Sequence, residues 1–270
     1  RSLFSPLFSG VFWEMHDFFL ADIKRIEIIR GSGSSTWGAN AINGIINIIT
    51  ESSADTVNTL GYVRAGGNTE HDVGIRQGFE IGSQSFGRLY VKQMDFASNR
   101  TLVPGVLDSW QSKAVGGKLD WFSGSNSWSL SADSIVQESS DIMILPIAST
   151  QPVNNSDNKN WNISGSWQKI VNANNQFSLG AYVQEQSRDG FSYESHDRMY
   201  NLEYDQTLNF NHTWQMNFGV SGRKHEISMA SDEVFTFAQG ALDVEAYVYS
   251  GYFLFHYNWD EKQAVELGTK

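Results

Sequence analysis

The feature that most constrains this chain is a period of two that sets in at Leu60 and runs to its end. Val73, Ile75, Phe79 and Ile81 alternate with Asp72, Gly74, Arg76, Gly78 and Glu80, and Val115, Leu119 and Trp121 alternate with Gly116, Lys118 and Asp120. The same period returns at 161–168, 177–184, 200–210, 214–221 and 247–259. Successive side chains of a strand point to opposite faces, so this pattern builds a sheet with one apolar, aromatic face and one polar face. The pattern accommodates about eleven strands, the last of them, 264–270, short.

The connections alternate as well. Short turns fall near 82–84, 123–127, 172–175, 211–212 and 260–262, and longer connections at 98–111, 139–159, 187–193 and 229–245. The connection at 66–70 lies on the long side yet is short. Aromatic residues gather at the short-turn ends: Trp121, Phe122, Trp128, Trp167, Phe177, Phe210, Trp214 and Trp259. Rings with an apolar body and a polar edge favour a membrane–water boundary, and short turns opposite long loops are the habit of outer-membrane barrels. No run of about 18 apolar residues occurs, so no transmembrane helix is expected, whereas a barrel strand needs only about 9–11 alternating residues. The expected fold class is therefore mainly β, a transmembrane antiparallel β-barrel. In lipid a sheet must close, because an open edge strands backbone groups at several kcal/mol each. An odd strand count with a short last member describes an incomplete barrel, and the expected sheet is open or half-open.

Residues before 52 have a different texture. The run IKRIEII at 23–29 reads as a strand, Arg30 and Gly31 end it, small residues follow at 32–35, and an isoleucine-rich run at 41–49 reads as a second strand. Their near-continuous apolar character suggests burial on both faces. Upstream, Phe12, Met15, Phe19 and Ile23 fall at helical spacing, which suggests a short helix over 12–22. Residues 52–59, SSADTVNT, form a polar linker.

The stretch RIEIIRGSGSSTWGANAINGIINIIT, residues 25–50, resembles the end of the plug domain of TonB-dependent outer-membrane receptors, where a signature close to RIEVIRGPxSxLYGxxAxxGVINIIT leads directly into a β-barrel. Ser32 stands where the family usually has proline, which leaves the turn looser. The resemblance implies an α+β plug segment at 1–52 and the first part of a barrel at 53–270. Barrels of this family have about 22 strands, so about half the strands would be present. It also implies active uptake of a scarce solute, most often an iron–siderophore complex, with TonB, outer-membrane lipid and an extracellular small-molecule ligand as partners. TonB would be engaged through a segment outside this chain, and the location would be the outer membrane of a Gram-negative bacterium.

Site expectations follow from the resemblance and from the residues. The segment before the signature would form an apex facing the extracellular vestibule, which makes Phe8, Phe12 and Trp13 candidate ligand contacts; the plainer reading is that they pack in a core. Glu27 and Arg30 are charges beside an apolar strand; they are either a solvated strand end or plug charges paired with the barrel wall. Gly31, Gly33, Gly38 and Gly44 mark turns and close backbone approach; the string GSGSST lacks the lysine of a phosphate-binding loop. An apolar run at 142–147, inside the longest loop, is either folded back on its neighbours or a surface contact.

No catalytic or metal site is expected. The six histidines show no ligand spacing, there is no cysteine, and no serine sits in a G-x-S-x-G elbow. No cofactor is expected either, and a net charge of −11 argues against nonspecific nucleic-acid binding. The alternative to a receptor is a soluble or surface β-rich binding or adhesion module. The two differ in where the apolar faces point, toward lipid in a barrel or toward a second sheet in a sandwich.

Overall fold

The computed structural model describes residues 1–7, 10–31, 44–67, 69–97, 109–142, 153–190, 193–211, 213–231, 241–260 and 263–269. An N-terminal segment with 3-10 turns at Trp13–Met15 and Leu20–Asp22 leads into a hairpin of β1 (Ile23–Arg30) and β2 (Gly44–Thr50). A third 3-10 turn, Ser53–Thr56, then hands the chain to the main sheet. That sheet consists of β3 (Thr59–Gly66), β4 (Thr69–Glu80), β5 (Ser85–Phe96), β6 (Trp110–Ser123), β7 (Asn126–Ile142), β8 (Val153–Asn172), β9 (Asn175–Asp189), β10 (Tyr193–Asn209), β11 (Trp214–Ser231), β12 (Ala241–Asp260) and β13 (Gln263–Thr269). The eleven strands pair strictly in chain order, all antiparallel, and β3 and β13 are left as edges. The sheet is open, as an incomplete barrel requires.

Register fixes the two faces. Leu89, Gly117, Ala132, Ile163, Val183 and Tyr200 form one continuous cross-strand row, and Arg88, Lys118, Ser131 and Ser164 begin another on the opposite side. The apolar rows are open to the surroundings, with Val63 at 78% and Tyr249 at 79% exposure, and among the described residues no second sheet covers them. The polar rows are the buried ones: Arg76, Arg88, Lys92, Asn158, Asn162, Gln184 and Asp197 lie under the N-terminal segment or among their neighbours. This inversion of the usual soluble pattern excludes the sandwich. At the short-turn ends Trp121 stacks on Trp128 at 5.7 Å, Trp167 meets Phe177 edge-on at 5.1 Å, and Trp214 lies 4.9 Å from Phe255.

Three expectations need correction. The segment 12–22 is not a helix but two 3-10 turns joined by extended residues, because Asp17 and Asp22 are drawn to basic groups on the sheet. The β1–β2 hairpin is not buried on two faces: Ile26 and Ile28 are exposed, and no described element packs broadly on it. Its apolar pattern states what the strands require, and nothing within the described residues supplies that cover. The strands also run well into the expected long loops, β8 reaching 20 residues. There, polar residues occupy both faces, the paired Gln137 and Asn158 on one and the paired Glu138 and Asp157 on the other, and erase the hydrophobic period while the backbone ladder continues.

Candidate functional site

The place where the N-terminal segment meets the polar face of the sheet concentrates the buried chemistry of this chain. It begins with charge. Asp22, 4% exposed, accepts from Arg76 through one oxygen and from Arg88 Nε at 2.9 Å through the other. Arg76 also reaches the side chain of Asn58, and Arg88 Nη1 donates to the Glu51 carbonyl at 2.8 Å. Asp17 binds Lys92 and accepts from Ser112 Oγ at 3.0 Å. On the next strand the Asp120 carboxylate accepts from the Ser53 backbone N–H at 2.6 Å, and Lys118 donates to the Glu51 carbonyl at 3.1 Å. Buried charges are tolerated only when paired, and removing one partner of such a pair costs about 3–5 kcal/mol. Chain folding brings these partners together from β4, β5 and β6, whose inward rows place Arg76, Arg88 and Lys118 on neighbouring strands.

Phe19 sits between these pairs, 3% exposed, with its ring 5.5 Å from Tyr62 and 5.4 Å from Tyr90. The two phenols donate onward, Tyr62 to Asp72 at 3.0 Å and Tyr90 to Asp133 at 2.6 Å. An apolar anchor is thereby inserted between charged contacts.

Further along the sheet the seam becomes neutral. His16 is buried, with Nδ1 2.9 Å from Asn160 Nδ2 and Nε2 3.4 Å from Gln186 Nε2. Burial, and next the charge of Arg1, push its pKa down to about 3, so the ring is neutral at ordinary pH. Asn160 also donates to the Met15 carbonyl at 3.0 Å. Beyond it, Ser5 Oγ donates to Asp197 at 2.8 Å and His225 Nδ1 lies 3.2 Å from the same carboxylate. A serine, an aspartate and a histidine meet here, but the acid lies between the other two, so the histidine cannot take the serine's proton.

The candidate residues are distributed unevenly across this geometry. Trp13 is 48% exposed on the 3-10 turn that meets β7 and β8, and Phe12 is half-buried beside it. Phe8, Gly33, Gly38 and the run 143–147 lie outside the described residues, as does the side chain of Ile142. Glu27 accepts from Arg25 Nε at 2.7 Å and from Asn47 Nδ2 at 3.0 Å, all within the hairpin. Those two hydrogen bonds hold its carboxyl below the usual range. Arg30 is exposed at the end of β1 and has no ion pair among the described residues. Gly31 takes φ +96, and a Cβ on Gly44 would sit 2.7 Å from the Ile29 carbonyl oxygen, so both turn glycines are required by the backbone. Sequence reasoning missed Asp17, Asp22 and His16. The available signal was polar residues interrupting the apolar spacing of 12–23.

No family model matches the chain. Over 92 residues it is 34% identical to the vitamin B12 transporter BtuB of Vibrio cholerae, a match covering 33% of this chain and 15% of that protein. Its fold is similar to that of the FrpB iron transporter from Neisseria meningitidis, with a TM-score of 0.66, 12% identity, and coverage of 92% of this chain and 53% of that one. It is also similar to the ferric-catecholate import receptor Fiu from E. coli K12, with a TM-score of 0.63, 10% identity, and coverage of 92% and 59%. The chain thus spans little more than half of each of these two structures and matches a small part of the curated relative.

Proposed function

From the premise that this chain has the fold of the TonB-dependent receptors of the Gram-negative outer membrane, we propose that it belongs to a receptor for active uptake of a scarce solute, an iron–siderophore complex being the first candidate. Residues 1–52 act as part of the plug and residues 53–270 as barrel wall. TonB pulls on the plug from the periplasm, and lipid covers the aromatic outer face. The similar proteins are transporters and receptors, and no reaction chemistry of its own is assigned to this chain.

One observation supports this reading above the others. The polar face of the sheet is capped by the N-terminal segment through buried ion pairs, while the apolar face is left open. A segment held by a few strong, separable contacts can close a bore at rest and release it when pulled. Phe12 and Trp13 meet the arriving solute at the upper end of the segment, and Arg30 contributes an ionic contact to the wall. The test is uptake of radiolabelled ferric siderophore by cells producing the natural gene product, with and without the proton gradient. Saturable uptake abolished by collapse of the gradient is expected; uptake indifferent to the gradient removes the proposal.

A further inference from the structure

The inner face of β7 and β8 holds more neutral polar groups than the N-terminal segment uses. Gln137, Asn158, Asn160 and Asn162 are each 2% exposed. Among the described residues, five of their side-chain atoms have no hydrogen-bond partner: Oε1 of Gln137, both polar atoms of Asn158, and Oδ1 of Asn160 and of Asn162. Gln137 faces Asn158 directly across the strands, and Asn160 and Asn162 follow on the same side of β8. The remaining such atom among the described residues, Arg76 Nε, belongs to the charged seam. Buried amides are almost always paired, so a contiguous strip of unpaired ones points to a partner that comes and goes.

We propose that this amide strip lines the route a solute takes between the N-terminal segment and the wall, and that the solute it passes is uncharged and rich in hydroxyl or amide groups. The inference rests on the receptor reading and adds the chemical class of the cargo. A terminal amide offers one donor group and one acceptor and can exchange them by a half-turn. Hydroxyls and amides, which also do both, match it. Carboxylates, phosphates and catecholate oxygens only accept, and call for arginine or lysine. The buried cations of the seam are committed elsewhere, Arg76 and Arg88 to Asp22 and Lys92 to Asp17. Two charges of opposite sign flank the strip. Arg188 faces Asn158, with its guanidinium 6.0 Å from the Tyr193 ring centre, and Asp133 faces Asn162 and accepts from it at 3.3 Å. His16, neutral, and the Met15 carbonyl cover Asn160 at rest, so displacement of their turn opens the strip, with the exposed Trp13 ring at its edge.

The experiment measures energised uptake by the natural gene product in its outer membrane. The uncharged probes are a ferric trihydroxamate, cobalamin and a malto-oligosaccharide; the anionic probe is a ferric tris-catecholate. At least one uncharged probe is expected to enter, and Asn158→Leu with Asn162→Leu to cut that uptake at least ten-fold, while serine at both positions keeps it within three-fold. A second measurement does not depend on the leucine pair reaching the membrane. Maleimide labelling of Asn158→Cys is expected to slow at least three-fold in the presence of the transported probe under energised conditions. Energised uptake of the tris-catecholate alone, or of an uncharged probe indifferent to the leucine pair and to labelling, overturns the inference and leaves the receptor reading intact. Energised uptake of none of the four overturns both.

Discussion

Gly78 lies so close beneath the 53–56 turn that a Cβ built on it would sit 1.8 Å from the carbonyl oxygen of Thr56. Its N–H donates to the Asn58 carbonyl at 3.0 Å, so the linker is seated directly on the backbone of β4. Gly78→Ala must push the turn away, and with it the Ser53 N–H that Asp120 accepts. Overpacking of this kind costs about 1–3 kcal/mol. Gly222→Ala is the control, since its Cβ would meet Tyr249 at an ordinary 3.5 Å. Limited proteolysis within 51–58 should accelerate for the first variant and not for the second; equal rates would mean that the linker is seated by something else.

Asp22→Asn leaves two buried guanidiniums without their carboxylate. The loss should be about 3–5 kcal/mol of attachment, and Asp22→Asn combined with Arg76→Met should recover part of it by removing one of the stranded cations. In the proposed receptor the readout is entry of a small antibiotic through the bore. Entry is expected to rise in the single variant and fall back in the double one. An unchanged single variant would show that the segment is held without this cluster.

Arg30→Glu tests a weaker contact. Arg30 is exposed, and Glu27 is already satisfied by Arg25 and Asn47, so of the two charges proposed to meet the wall only Arg30 is left, among the described residues, to make that proposed contact. Antibiotic entry should rise in Arg30→Glu, by less than in Asp22→Asn. If entry and solute uptake both stay at the wild-type level, Arg30 has no part in anchoring.

The difference between these residues shows what the chain discloses before it is folded. Strand existence and facing were legible, because Val73, Ile75 and their successors obey a period of two that only one sheet face can satisfy. The open sheet followed from counting. The charged seam was not legible. Asp22 and Arg88 are 66 positions apart, numbered from the chain itself, and each reads locally as an ordinary surface charge. Only the stacking of inward rows on β4, β5 and β6 shows that they converge. The ends of β7 and β8 were lost for the opposite reason: with polar residues on both faces, periodicity vanishes where hydrogen bonding does not.

His16 gives the seam a pH dependence whose sign follows from its surroundings. The attached ring titrates at about 3, lowered by burial and secondarily by Arg1, whereas a detached, solvated histidine titrates near 6.5. Above about pH 6.5 both forms are neutral and attachment is at full strength. As the pH falls toward 3 only the detached form takes up a proton, so attachment weakens by about 1.4 kcal/mol per pH unit. Asp17 and Asp22 also tie this segment to basic partners on the sheet, Lys92, Arg76 and Arg88. The contribution of His16 is therefore read as a difference. Hydrogen exchange across 12–22 is followed from pH 7 to pH 4, after correction for intrinsic exchange, in the wild type and in His16→Gln. The wild type should lose protection progressively below about pH 6, and the variant should hold a flatter profile over the same interval. Parallel profiles would mean that the buried imidazole contributes nothing to the acid response.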